Sequence, residues 1–193
     1  MSMKYQNIHQ DLINGCLKGD RKSQFEIYKL YNKAMFNISL RIVNDKMVAE
    51  DVMQEAFLSA FNKLKLYKGD VSFGAWLKKI VINKSIDVIK KKNPIYSELD
   101  SSYSENYTDN QEEKYEYSID INSQVEIIKR TINDLPDGYR IVLSLSLLEG
   151  YDHDEIAQIL NITSSTSRSQ FARARKKLLQ ELKQKSIQDY EKN

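Results

Sequence analysis

The chain has 193 residues with one cysteine, and 29 basic against 27 acidic side chains leave a net charge of +2. That length holds one medium domain or two small ones, the charge balance excludes a protein that coats DNA over its whole surface, and one cysteine excludes an intramolecular disulfide, which fits a reducing cytoplasm. No apolar run approaches a membrane span, the N-terminal MSMKYQNIHQ lacks the apolar stretch of a secretion signal, and two prolines and six glycines among long tracts of Lys, Leu, Glu, Gln and Ala favour an all-α, cytoplasmic protein without membrane insertion.

Cys16, flanked by Leu12 and Leu17, reads as a buried apolar residue rather than a reactive thiol. From 24 to 43, Phe25, Tyr28, Tyr31, Met35, Ile38 and Ile42 recur at three- and four-residue spacing, which predicts an amphipathic helix with a bulky core stripe. Asp45 is placed to cap the next helix, 47 to about 66. There Val48, Val52, Ala56, Ala60 and Leu64 line one side, with Ala49, Met53, Phe57 and Phe61 beside them. Asp51, Gln54, Glu55 and Leu58 share another face.

A turn at Gly69-Asp70 follows Tyr67. A third helix then starts near Ser72 and ends before Asn93-Pro94. Its apolar members are Phe73, Trp76, Leu77, Ile80, Ile86 and Ile89, and six lysines from Lys78 to Lys92 face one acid, Asp87. Aromatic rings among lysines suit a single nucleic-acid strand, because bases stack on rings while ammonium groups hold phosphates. Burial of Phe73 and Trp76 under solvated lysines explains the same residues equally well.

Residues 97–122 carry eight acids and one lysine with few aliphatic side chains, the composition of a flexible acidic linker. Helical periodicity returns at Val125, Ile128 and Ile132 and stops at Asp134-Leu135-Pro136. The next helix spans about 136–149 and ends at Gly150. Its VLSLSLL run alternates as a strand would, but a lone strand has nothing to pair with, so helix is expected. The segment 152–160 is short and amphipathic, and Asn161-Ile162-Thr163 joins it to a helix that opens on Ser164 and carries Arg168, Arg173, Arg175, Lys176, Lys177, Lys183 and Lys185. Two helices across a tight turn, the second rich in Arg, are the sequence form of a helix-turn-helix. A solvated basic face is the competing reading. Hydroxyls at the helix start, Arg168 and Ser169 in its first turns, and Leu178, Leu179 and Leu182 behind them favour DNA. The tail beyond Gln184 is polar and expected to fray.

Catalysis finds no support. His9 and His153 lie in different predicted domains, one Cys and two His make no zinc ligand set, no glycine-rich phosphate loop occurs, and Asp51 and Glu55 lack a partner base. We therefore expect no enzyme, catalytic residue, metal or cofactor. The domains expected are 1–95, the acidic linker 96–122 and the helix-turn-helix domain 123–193.

Two blocks, AEDVMQEAFLSAF followed by FGAWLKKIVINKSID, and LPDGYRIVLSLSLLEGYDHDEIAQILNITSSTSRSQFARARKKL, resemble in order and spacing regions 2 and 4 of bacterial RNA polymerase sigma factors of the extracytoplasmic-function (ECF) group. The resemblance implies that Asp51, Gln54 and Glu55 dock on the clamp helices of the largest subunit of core RNA polymerase. It implies that Tyr67, Lys68, Phe73, Trp76, Lys79, Asn83, Lys84 and Lys90 take the non-template strand of the minus-ten element, where the family captures an unstacked base in a loop pocket. Arg168, Ser169 and Arg173 match positions at bases or nearby phosphates of the minus-thirty-five element, and Ser165, Thr166 and Arg175 match phosphate contacts. Promoter DNA, the flap of the second-largest subunit and, in many members, an anti-sigma factor complete the implied partners, and the linker would run toward the RNA exit. The chain departs from the pattern at Ser167, at Gln170-Phe171, at Lys90 and at Gly138, which bears on the promoter sequence rather than the class. A stand-alone helix-turn-helix regulator is the alternative, and a helical adaptor without DNA is the third reading.

Overall fold

In the computed structural model, which describes residues 7–92 and 121–190 with side chains over 7–92 and 125–184, helix α1 spans Gln10–Leu17. Periodicity misses this helix because it has only two turns, and Gly15 in its interior is a poor helix former. The glycine has a packing reason. A Cβ there would overlap Ser23 Oγ and lie 2.8 Å from Ser23 Cβ, so α1 and α2 approach as closely as they do only without one.

Helix α2 (Arg21–Val43) begins where Asp20 accepts hydrogen bonds from the Lys22 and Ser23 N–H groups and from Ser23 Oγ. It ends at Asn44, whose left-handed conformation (φ 54°) lets its N–H reach Leu40 O at 2.8 Å. Asp45 then caps α3 (Lys46–Lys63) by accepting from Met47 and Val48 N–H, as its position in the sequence predicts. A 3-10 turn, Leu64–Leu66, closes α3, and α4 runs Phe73–Lys92.

Helices α2, α3 and α4 pack on one another, and α1 lies on α2. Val52, Met53, Ala56, Phe57 and Ala60 of α3 are buried against Ile27, Met35, Ile38 and Ile42 of α2 and Leu77, Val81, Ile82 and Ile86 of α4. Each large aliphatic side chain so buried contributes roughly 1.5–3 kcal/mol. Ser39 and Ser85, both fully buried, pair their hydroxyls at 3.1 Å between α2 and α4. The core stripe of α2 differs from expectation at one end. Phe25 is 59% exposed with the Lys29 ammonium over its ring, and Ile27 takes the interior position. Nothing in the sequence around α2 distinguishes these two registers.

The chain divides into two units, Met1–Asn93 and Pro94–Asn193. The acidic linker lies outside the described residues except for its last two, which open α5 (Ile121–Asp134). Pro136 is the N-cap of α6 (Asp137–Leu143), which continues as a π-helical turn, Ser144–Leu148. The alternating VLSLSLL run is therefore helical, and Val142, Leu143 and Leu145 are all buried. Arg140 is buried as well. Its guanidinium reaches Asp137 Oδ1 at 2.7 Å and Leu135 O at 3.3 Å, which fixes the α5–α6 turn.

Helix α7 (His153–Leu160) starts in a capping box in which Asp152 accepts from Asp154 and Glu155 N–H while Glu155 accepts from Asp152 N–H. Helix α8 spans Ser164–Tyr190, so helix continues past Gln184, where the polar sequence predicts fraying. Ile132, Leu135, Leu143, Ala174 and Leu178 form the core of this unit, with Tyr139, Phe171 and Leu182 packed against it. Leu179, expected on the packing side, is instead 46% exposed, because Leu178 and Leu182 already fill the stripe that faces α5 and α6. No strand occurs among the described residues.

Candidate polymerase and DNA interfaces

Asp51, Gln54 and Glu55 lie one helical turn apart on α3 and all three are exposed. The opposite face of the same turns, Val52, Ala56 and Phe57, is buried. Leu58, on the exposed side, is 65% exposed, so an apolar side chain lies beside a polar trio on a rigid helix. Met47, at the start of α3, is also exposed. Such a surface fits a protein partner better than a nucleic acid, since its charges are acidic.

The second candidate surface begins at Tyr67 and continues along α4. Trp76, Lys79, Asn83 and Lys90 recur at helical spacing, with Trp76 and Lys90 half-buried and Lys79 and Asn83 exposed. Asp87 lies in the same stripe and is exposed. Phe73 does not belong to this surface, contrary to expectation. It is 2% exposed, enclosed by the rings of Tyr31, Tyr67 and Trp76 at centroid distances of 5.5, 5.9 and 5.7 Å. A ring held on three sides by other rings has no face left for a base. The Tyr67 ring lies 5.2 Å from Trp76, and its hydroxyl donates to Val71 O at 2.6 Å inside the loop. Lys68 and Asp70 are exposed on that loop, and Gly69 takes the left-handed conformation (φ 78°) its turn requires.

Lys84 and Glu55 belong to two different expected interfaces, yet they meet. Lys84 Nζ lies 3.1 Å from Glu55 Oε2, joining α4 to α3. Sequence separation hides this pair, since no local pattern links residues 29 apart.

In the second unit, Asn161 is left-handed (φ 60°) and ends α7, and Ile162 N–H reaches back to Ala157 O at 3.0 Å. Thr163 caps α8, accepting from Thr166 N–H at 3.0 Å, and its hydroxyl meets that of Thr166 at 2.8 Å. Ser164 Oγ donates to Asp154. Ser165, Arg168 and Arg175 are exposed, while Thr166, Ser169 and Arg173 are half-buried. The start of α8 therefore combines a Thr163-capped helix N-terminus with the exposed Ser165 hydroxyl and Arg168 guanidinium one turn apart, group types that contact phosphates and guanine edges. Arg168 and Arg175 are two turns apart, and Ser165 is one turn before Arg168.

Ser167, the departure from the family pattern, is fully buried, and its hydroxyl is 3.0 Å from His153 Nδ1. The His153 ring packs edge-on to Phe171 at 5.4 Å. A hydroxyl in an otherwise apolar position is thus satisfied by an imidazole from α7, and the two helices are locked by a polar contact where an apolar one was expected. Gln170 is 8% exposed and faces inward, away from any DNA surface.

Among the described residues, no group of three or more His, Cys, Asp and Glu is arranged to hold a metal ion, and no helix is long and apolar enough to cross a membrane.

Comparison with known proteins matches residues 27–95 to the family described as Sigma-70 region 2 and residues 126–178 to that described as Sigma-70, region 4. The chain is 31% identical over 179 residues to the ECF RNA polymerase sigma-E factor of Escherichia coli (strain K12), which covers 90% of this chain and 93% of the relative. It is 29% identical over 179 residues to the RNA polymerase sigma-H factor of Pseudomonas aeruginosa, again 90% and 93% of the two chains. Among solved structures, the sigma factor RpoE in complex with the anti-sigma factor NepR, from Bartonella quintana, aligns at a TM-score of 0.53 and 22% identity, over 82% of this chain and 95% of that one. That alignment supports the all-α fold.

Proposed function

The chain belongs to the ECF family of RNA polymerase sigma factors, and from that premise we propose how its surfaces divide the work. It binds core RNA polymerase, directs it to specific promoters and helps melt the minus-ten region. It acts in the cytoplasm as a transcription initiation factor, not as an enzyme. The exposed face of Asp51, Gln54 and Glu55 on α3 docks on the clamp helices of the largest subunit. The loop 67–72 with Lys68, Trp76, Lys79, Asn83, Lys84 and Lys90 takes the non-template strand. Half-buried Tyr67 opens that surface, and buried Phe73 supports it from beneath. Ser165, Thr166, Arg168, Ser169, Arg173 and Arg175 on α8 read the minus-thirty-five element from the major groove. The domain limits 1–95 and 123–193, with 96–122 as linker, follow the same division. The relative from Bartonella quintana was solved with an anti-sigma factor, and an inhibitor of that class is proposed to cover the same polymerase-facing surfaces here.

One observation carries the proposal: the similarity runs through both units at once, in order, over nine-tenths of the chain. A stand-alone regulator needs only the helix-turn-helix and gives no reason for an acidic, partly apolar face on α3, so that alternative is not favoured. The physical division is consistent with it. Acidic side chains repel a nucleic acid and suit a protein partner, whereas the arginines of α8 and lysines of α4 suit phosphates.

Gel filtration of the purified chain with core RNA polymerase tests the docking surface. The wild-type chain is expected to co-elute with core, and a variant with Asp51→Ala and Gln54→Ala to lose most of that binding while retaining its thermal midpoint, since both side chains are exposed. Co-elution of the variant at wild-type level refutes the docking face, and failure of the wild-type chain refutes the function.

A further inference from the structure

Asn7 is 8% exposed although it is polar and stands ahead of α1. Its amide bridges to residues 60 and 66 positions later, at the start of the loop 67–72 and at the start of α4. Phe73 N–H can only donate, so the amide atom 2.7 Å from it is Oδ1. That choice turns Nδ2 toward Tyr67 OH at 2.9 Å and Gln10 Oε1 at 3.2 Å. With Nδ2 donating to it, the tyrosine directs its single proton to Val71 O at 2.6 Å, the nearer of its two acceptors, Asn7 Oδ1 being 3.1 Å away. A chain of directed bonds therefore runs from Asn7 through Tyr67 to the far end of the loop.

Helix capping does not account for the whole arrangement. Ser72 already serves the first turn of α4, its Oγ accepting from Ala75 N–H at 3.2 Å and its carbonyl from Trp76 N–H at 3.0 Å. Asn7 Oδ1 adds a cap to Phe73, but Nδ2 contributes nothing to α4. What Nδ2 does is fix the Tyr67 hydroxyl, and with it the span that holds Lys68, Gly69 and Asp70 outward. A loop held in its working shape before the strand arrives spares the ordering cost at binding.

We infer that Asn7 is a positioning residue that presets the loop 67–72 for the unpaired strand of the minus-ten element, acting through the Tyr67 hydroxyl. This rests on the assignment of that loop under Proposed function.

The discriminating variant is Asn7→Asp in the full chain, assembled with core RNA polymerase. Aspartate keeps an acceptor for Phe73 N–H but replaces the Nδ2 donor with a second acceptor. The Tyr67 proton then turns toward the introduced carboxylate, and Val71 O is released. The rate of promoter opening, followed by fluorescence of a base analogue in the minus-ten element, is expected to fall about two- to tenfold, the range for one lost hydrogen bond. Core binding and initiation from a template already unpaired across the element are expected to stay at wild-type level, while the thermal midpoint falls slightly because the new carboxylate is buried and has lost a donor. Tyr67→Phe removes the same relay from the other end, so the double variant should be no slower than the slower single one. Opening at the wild-type rate by Asn7→Asp overturns the inference. So does an equal loss on duplex and pre-opened templates together with weaker core binding, which marks a general folding defect. If the wild-type holoenzyme itself opens no promoter, the function fails and the inference with it, an outcome distinct from an unimpaired variant beside an active wild type.

Discussion

Glu55→Gln should tighten the grip of the free protein on a single-stranded minus-ten oligonucleotide. The carboxylate lies 3.1 Å from the Lys84 ammonium, so a phosphate must displace it before it can use that cation. Glu55 is 69% exposed and Lys84 30%, which places the pair in the weak, solvent-screened class, worth about 0.2–1 kcal/mol. The expected gain is therefore about 1.4- to 5-fold in affinity. Fluorescence anisotropy of a labelled oligonucleotide, titrated at low ionic strength, resolves a change of that size, and added salt should shrink it. The control is Lys84→Ala, which should weaken binding and abolish the effect of Glu55→Gln. If Glu55→Gln tightens binding by the same factor in the Lys84→Ala background, the gain is a general charge effect and the pair is irrelevant. Coupling between sites is reciprocal. A polymerase that engages Glu55 would release Lys84 for DNA, so the gain should diminish in the holoenzyme.

Three further outcomes are expected. Arg168→Ala should reduce discrimination for the upstream promoter element by about 1–3 kcal/mol, measured as relative transcription from wild-type and altered elements, while core binding persists; loss of core binding instead would contradict the division of surfaces. Gly15→Ala should lower stability by about 1–2 kcal/mol despite the better helix former, because the new methyl overlaps Ser23 and overpacking outweighs propensity; a raised midpoint in urea unfolding contradicts the close approach of α1 and α2. Burial, and secondarily the negative charge of Asp20, pushes the Cys16 thiol above its ordinary value. The unfolded chain therefore ionises this thiol first, so stability is retained below pH 9.0, the ordinary value, and eroded above it. Iodoacetamide should label Cys16 slowly in the native state at neutral pH and rapidly in denaturant, and fast native labelling would contradict its burial.

Local signals in this chain are legible and distant partnerships are not. Asp45 and Gly150 mark helix ends by chemistry that acts within four residues, and the structure uses both of them there, whereas sequence reading passes over the capping box of Asp152 and Glu155. The alternating VLSLSLL run resolves as helix once its surroundings are helical. The Asp51, Gln54 and Glu55 face follows from spacing alone, because helical geometry fixes which residues share a side. Phe73 shows the opposite case. Its place among aromatics and lysines suggests a stacking surface, but its neighbours Tyr67 and Trp76 and the distant Tyr31 of α2 enclose it. Asn7, Arg140 and the His153–Ser167 contact have no periodic or motif signature. Their roles arise only when segments are brought together, so sequence reasoning passes over them. Phe25 and Leu179 depart from their expected places for a related reason: two apolar residues near one stripe compete for the interior, and neighbouring helices decide which enters.

Run-off transcription with purified core RNA polymerase and genomic promoter fragments bears most directly on the claim that both units of one chain act together at a start site. Adding the protein should produce discrete transcripts whose start sites share two sequence blocks at a fixed spacing, and altering either block should abolish them. Transcripts absent with the protein present, or unaffected by loss of the upstream block, would contradict it.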